Sequence, residues 1–186
     1  MIEPLFDMPD QPGDETPRCT EREMLEALHR KFGQVSKNGG VLAPRYVCAE
    51  HVRASAGFYC RTADFIAADT WGRGKYAIHG VEVKVSRGDW QRELRKPEKA
   101  GAFAPWVHYW WLAAADDSIV HPGELPGDWG LLVLKRGRLY ERPAAPRRSP
   151  IPVPPESMAS LLRAVAKTAA RRAHFTTTEG TTDERV

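Results

Sequence analysis

The chain has 186 residues, 42% of them hydrophobic and 27% charged, enough for one ordinary domain with tails, which excludes wholesale disorder. No apolar run approaches the roughly 20 residues of a membrane-spanning helix, and the opening Met1-Ile2-Glu3-Pro4-Leu5-Phe6-Asp7 lacks a secretory signal's basic-then-apolar order, so a cytoplasmic protein without membrane association is expected. The formal charge is +3, yet residues 1–17 carry five acidic side chains and no Lys or Arg, leaving the rest of the chain at +8 and favouring a polyanionic partner, chiefly nucleic acid.

Residues 1–19, with four prolines and that acidic cluster, read as a disordered leader. Leu5-Phe6 within it offers a short apolar anchor for a protein partner, against the plainer reading of a flexible tail. A helix begins at Thr20, where Thr20-x-x-Glu23 forms a capping box and Met24, Leu25, Leu28 and Phe32 recur at helical spacing. Gly33 ends it, and Asn38-Gly39-Gly40 reads as a loop. Strands are expected near 45–52, 61–69, 75–86 and 106–114, with a helix over 87–102 between the last two. Trp129–Lys135 and Arg138–Arg142 flank Arg136-Gly137 as a β-hairpin.

Six prolines between Pro143 and Pro155 predict a stiff linker over 143–155. A basic amphipathic helix follows over 156–175, with Met158, Leu161, Leu162, Val165 and Ala169 on one face. Arg163, Lys167 and Arg171 lie on the other, either solvated or gripping phosphates. Residues 176–186 read as a disordered tail. The main domain is thus assigned to 20–142, and the element order gives an α/β fold, a mixed sheet flanked by helices.

The chemistry concentrates in two stretches, Arg61–Asp69 and Ile78–Ser86. In the second, taken as a strand, Val81, Val83 and Val85 share one face, while Gly80, Glu82, Lys84 and Ser86 share the other. Gly80 leaves room beside the acid and the base. A turn through Trp71–Gly74 returns the first strand beside the second and sets Asp64 next to Glu82, within range of mutual repulsion unless a cation lies between them. Oxygen ligands favour Mg²⁺ or Mn²⁺. Cys19, Cys48 and Cys60 are scattered, and the six histidines show no H-x-x-x-H pair, so neither a disulfide framework nor a Cys- or His-dominated zinc site is expected. Lys84 would lie beside the cation, placed to hold a phosphate oxygen or a water. Glu50 is a further candidate metal ligand, whereas on the first helix Glu23 is accounted for by capping and Glu26 reads as an exposed acid.

D-(x)n-E-x-K on adjacent strands resembles the signature of the PD-(D/E)XK nuclease superfamily, with Asp64, Glu82 and Lys84 in the matching places. The segments Arg61–Asp64, Gly80–Ser86, Asp89-Trp90, Arg92–Leu94, Pro97–Ala100, Trp110–Leu112, Gly123–Pro126 and Trp129–Leu131 resemble the MmcB-related group of DNA-repair nucleases, frequent in actinobacteria and their phages, over residues 45–142. The resemblance implies a restriction-endonuclease-like core and a Mg²⁺-dependent deoxyribonuclease of DNA repair or phage DNA processing. Members of the group often carry Tyr-Cys-Asp where this chain has Trp106-Val107-His108. Arg92, Arg95, Lys96 and Lys99 form a basic stripe on the following helix, suited to DNA phosphates or, more plainly, a solvated face with Glu93 and Glu98 as partners. Two other readings stand beside the nuclease: a non-catalytic DNA-binding or adaptor module, and a basic domain in which Glu82 and Lys84 form an ordinary ion pair.

Overall fold

The computed structural model describes residues 19–38, 41–54, 61–95 and 101–179. Apart from Cys19, the leader expected over 1–19 lies outside them, as do Lys96, Lys99 and residues 180–186. Helix α1 (Glu21–Lys31) starts at the expected capping box: the Thr20 hydroxyl accepts the Glu23 N–H, and the Glu23 carboxylate accepts the Thr20 N–H at 2.7 Å. A small hairpin follows, β1 (Val35–Asn38) paired with β2 (Val41–Pro44) across the Gly39-Gly40 position, where the sequence suggested only a loop.

The main sheet has six strands, β3 (Tyr46–Arg53), β4 (Thr62–Asp69), β5 (Ile78–Lys84), β6 (Tyr109–Ala114), β7 (Gly130–Lys135) and β8 (Arg138–Glu141), lying side by side in that order. β5, β6 and β7 run parallel, and the other pairs are antiparallel. The fold is therefore α/β, a mixed sheet flanked by helices. Central β6, Tyr-Trp-Trp-Leu-Ala-Ala, is buried beyond its first residue, as an inner parallel strand covered on both faces must be.

One face of the sheet packs on α1. Met24, Leu25, Leu28 and Phe32 meet Phe65, Val81, Val83 and Trp111 there, which agrees with the valine alternation of β5. The other face holds Ile66, Trp90, Phe103, Trp106, Trp110, Leu112 and Trp129. Burying one such ring contributes on the order of 3 kcal/mol. Gly80 lies on this face, and the room beside it is filled: a Cβ there would stand 2.4 Å from the Trp110 ring. The glycine admits an indole and opens no space at the site.

Two expected tail elements are docked. The proline-rich segment is extended, but it is strapped to the core: Leu131 N–H donates to the Pro143 carbonyl, Arg148 N–H to His108 and Ile151 N–H to Pro105, and Ala145 is buried. Helix α3 (Pro155–Glu179) runs past the boundary expected at residue 175. Its buried positions are Ser157, Leu161, Ala164 and Thr168, whereas Met158, Leu162 and Ala169 of the expected apolar face are exposed. The reason lies in what the helix covers. β3 is an edge strand with free outward backbone groups, and small hydroxylic residues let α3 approach it. Thr168 Oγ accepts the Glu50 N–H at 2.9 Å, and Ser160 Oγ donates to the Arg53 carbonyl at 2.7 Å.

Candidate metal and nuclease site

β4 and β5 pair in a register that sets Phe65 opposite Val81 and Ile66 opposite Gly80. Continued by one residue, it sets Asp64 opposite Glu82, the juxtaposition expected from the sequence, but the ladder stops at Phe65. The Val83 N–H instead donates to Asp64 Oδ2 at 2.8 Å. The strands thus part at the carboxyl end of β5, with an acidic side chain replacing a rung. That end is also where the chain turns into helix α2 (Arg87–Leu94), capped by Ser86, whose hydroxyl accepts the Asp89 N–H. Crevices beyond the carboxyl ends of parallel strands are common ligand sites in α/β sheets.

A cavity of about 440 Å³ occupies this crevice, lined by Glu21, Asp64, Glu82, Lys84, Asp89, Arg92 and Glu93 together with Val83 and Val85. Asp64, Glu82 and Lys84 therefore open on one space. Lys84 Nζ donates to Glu82 Oε1 at 2.7 Å and stands 3.3 Å from Glu93 Oε2. All three side chains are less than a tenth exposed. An ammonium buried between two carboxylates has a fixed position, and either acid left without it would be costly.

The sequence reading missed three contributors. Glu93, read from the sequence as a partner of the basic stripe, is buried and stands beside Lys84. Its signal was the i, i+3 spacing from buried Trp90. Glu21, rather than Glu23 or Glu26, is the acid that α1 brings to the cavity. Glu23 caps the helix and Glu26 pairs with Arg22. The third is His51 on β3, whose φ of 52° breaks the strand's alternation, so that the buried positions Ala49 and Val52 lie three residues apart. The turned imidazole faces Glu21 across 3.8 Å. Ligand atoms of Glu21, His51 and Asp64 all lie within 4.8 Å of one another, so two oxygens and a nitrogen converge where a cation could bind. The imidazole departs from the all-oxygen set expected from the sequence, and two carboxylates with one imidazole do not by themselves select among divalent metals.

Other candidates lie elsewhere. Glu50 does not line the Asp64–Glu82 cavity. Its carboxylate is taken by His29 Nε2 at 2.6 Å and Arg171 at 2.8 Å, and the His29 hydrogen bond foremost, helped by Arg171, holds it below the usual carboxylate range. It is a structural clamp between α1, β3 and α3. Of the stripe on α2, Arg92 lines the rim and pairs with Asp89, and Arg95 is exposed at the helix end. Lys96 and Lys99 lie outside the described residues.

His108 sits at the far end of the sheet. Its N–H donates to the Ile78 carbonyl and its Nδ1 accepts the Ile78 N–H at 3.1 Å, so it anchors the start of β5. Four strand residues, about 13 Å, separate Ile78 from Glu82. His79 faces α1, and the Trp111 indole N–H donates to its Nδ1. Burial pushes its pKa down to about 4. Glu124, in the loop after β6, accepts from Arg87 in a two-pronged pair and from the Trp90 indole and the His121 N–H, which ties the start of α2 in place. The Arg87 bonds hold the Glu124 carboxyl down to about 2.

No family model matches the chain, and no curated protein does. Among solved structures it is similar to the SPO1766 protein of Silicibacter pomeroyi, a protein of unknown function. The identity is 22%, the match covers 92% of this chain and 99% of that one, and the TM-score is 0.54. At that identity the likeness carries the fold alone. Among the described residues no helix is long and apolar enough to cross a membrane.

Proposed function

We propose that the chain is a Mg²⁺- or Mn²⁺-dependent deoxyribonuclease of the PD-(D/E)XK type. The observation that carries this reading is the opening of Asp64, Glu82 and Lys84 on one cavity where β4 and β5 part. Phosphodiester hydrolysis requires acceleration toward the upper end of the ~10⁶ to 10¹⁷ range of enzymes, and unaided side chains supply only part of it. A divalent ion held by Asp64 and Glu82, with Glu21 and His51 beside Asp64, would lower the pKa of a water and neutralise charge gathering on the phosphoryl oxygens.

The chain's own groups do the rest. Asp64 lines the cavity and is oriented by the Val83 N–H, which lowers the ordering cost of binding. Glu82 and Glu93 hold the Lys84 side chain in a fixed position from which it donates to a phosphate oxygen or steadies the attacking water. Arg87 and Glu124 fix the helix that carries Glu93. A role in DNA repair or phage DNA processing accompanies the sequence resemblance.

Incubation of the purified protein with supercoiled plasmid tests the reading. Nicking is expected with Mg²⁺ or Mn²⁺, none in excess chelator, and none from folded Glu82→Gln or Lys84→Met. Wild-type cleavage by either variant, or in chelator, overturns it. A salt-sensitive gel shift without cleavage under any metal would replace it with the non-catalytic DNA-binding module.

A further inference from the structure

We propose that α3 and the end of β3 form a track for the sugar–phosphate backbone of the DNA that enters the Asp64–Glu82 cavity. A groove of about 510 Å³ lies between them, lined by Arg53, Arg163, Lys167 and Arg171 with His51 and Glu50. It shares Glu50, His51 and Arg171 with a neighbouring hollow that also includes Glu21, and Glu21 in turn lines the Asp64–Glu82 cavity. The three spaces therefore follow one another, from four cationic residues to the acids.

The charge of the groove is available. Arg53, Arg163 and Lys167 are exposed, and none has an ion pair among the described residues. Glu50, the acid in the groove wall, is already matched by His29 and Arg171. Arg163, Lys167 and Arg171 recur every four residues, about 6 Å apart along the helix, which is comparable with the separation of neighbouring phosphates on a strand. Arg53 stands on the facing wall. A row of cations with one opposite suits a linear polyanion better than a single phosphate group. The packing of α3 makes the row rigid: Ser160, which lines the same groove, and Thr168 bond the helix to β3. The identity of the polyanion rests on the nuclease reading, but the track itself does not require catalysis.

The test is fluorescence anisotropy with a labelled DNA oligonucleotide in chelator, over a range of salt, on the full chain. Arg53→Gln/Arg163→Gln/Lys167→Gln is compared with a charge-matched control on the opposite sheet edge, Arg136→Gln/Arg138→Gln/Arg142→Gln, with thermal melts showing that both fold. The track variant is expected to bind at least about tenfold more weakly and to lose about 2 to 3 from the slope of log K against log salt, while the control changes little. Equal loss in both variants, an unchanged track variant, or a wild type that does not bind DNA overturns the proposal. Failure of the nuclease reading looks different: wild type and Glu82→Gln bind alike through the track, but neither cleaves with metal.

Discussion

Asp64 accepts the backbone N–H of Val83 at 2.8 Å, one residue beyond the last rung between β4 and β5. A carboxylate in place of a backbone carbonyl opens the sheet and keeps Val83 satisfied, and the crevice made in this way receives Glu82 and Lys84. Asp64→Ala removes the acceptor, leaves that N–H unpaired and takes away a ligand. We expect it to abolish metal-dependent nicking and to cost about 1 to 2 kcal/mol in urea unfolding. Asp64→Asn, which can still accept from Val83, should regain most of the stability but not the activity.

Lys84 lies between Glu82 and Glu93, all three nearly buried. Lys84→Ala leaves two acids without their cation, whereas Glu82→Ala leaves the ammonium still paired with Glu93. The lysine variant should therefore be the less stable at neutral pH, by about 3 kcal/mol relative to wild type. Urea denaturation of the two variants in chelator checks the order, and equal losses would refute it.

Much of the architecture was legible because local signals and packing agree. The Thr20–Glu23 capping box, the valine alternation of β5 and the Arg136-Gly137 hairpin each specify one local state, and each is realised. Asp64 and Glu82 line one crevice, but the ladder between their strands stops at Phe65, short of the pairing expected for them. What escaped depends on tertiary choices. His51 reaches the site through a left-handed backbone that no alternation rule anticipates. Glu21 reaches it because α1 starts at the crevice. The buried face of α3 mixes Leu161 and Ala164 with Ser157 and Thr168 where it meets a strand edge, so the apolar stripe read from the sequence shares Leu161 and Val165 with it but not Met158, Leu162 or Ala169.

Gly80 is specified by contact with Trp110, not by the chemistry of the site. Gly80→Ala should lower stability by about 2 to 3 kcal/mol, because the indole is packed among Phe103 and Trp129 and has little room to move. Thermal unfolding followed by tryptophan fluorescence measures this. An unchanged melting temperature would show that the ring yields.

Burial keeps His79 neutral, with a pKa of about 4, against about 6.5 in an unfolded chain. Between those values the unfolded state binds the extra proton, so stability is full above pH 6.5 and falls as the pH drops toward 4. The loss from this group is on the order of 3 kcal/mol. His79→Gln can still accept from the Trp111 indole and should flatten the fall. Urea midpoints measured across this window for both proteins decide it.

Glu124→Gln weakens the bonds that hold Arg87 and Trp90 at the start of α2. A lower melting temperature is expected, with slower nicking at unchanged metal dependence, since Glu93 and the Lys84 ammonium lose their support while Asp64 and Glu82 do not. Full activity with a lowered melting temperature would make the tie purely structural.

The most direct measurement is Mn²⁺ uptake, followed by the loss of the free ion's electron paramagnetic resonance signal as protein is added. Wild type should take up the ion, and Asp64→Asn, folded to the same extent, should take up little or none. Undiminished uptake by Asp64→Asn, or no uptake by wild type at millimolar Mn²⁺, would contradict a cation site at the parting of β4 and β5.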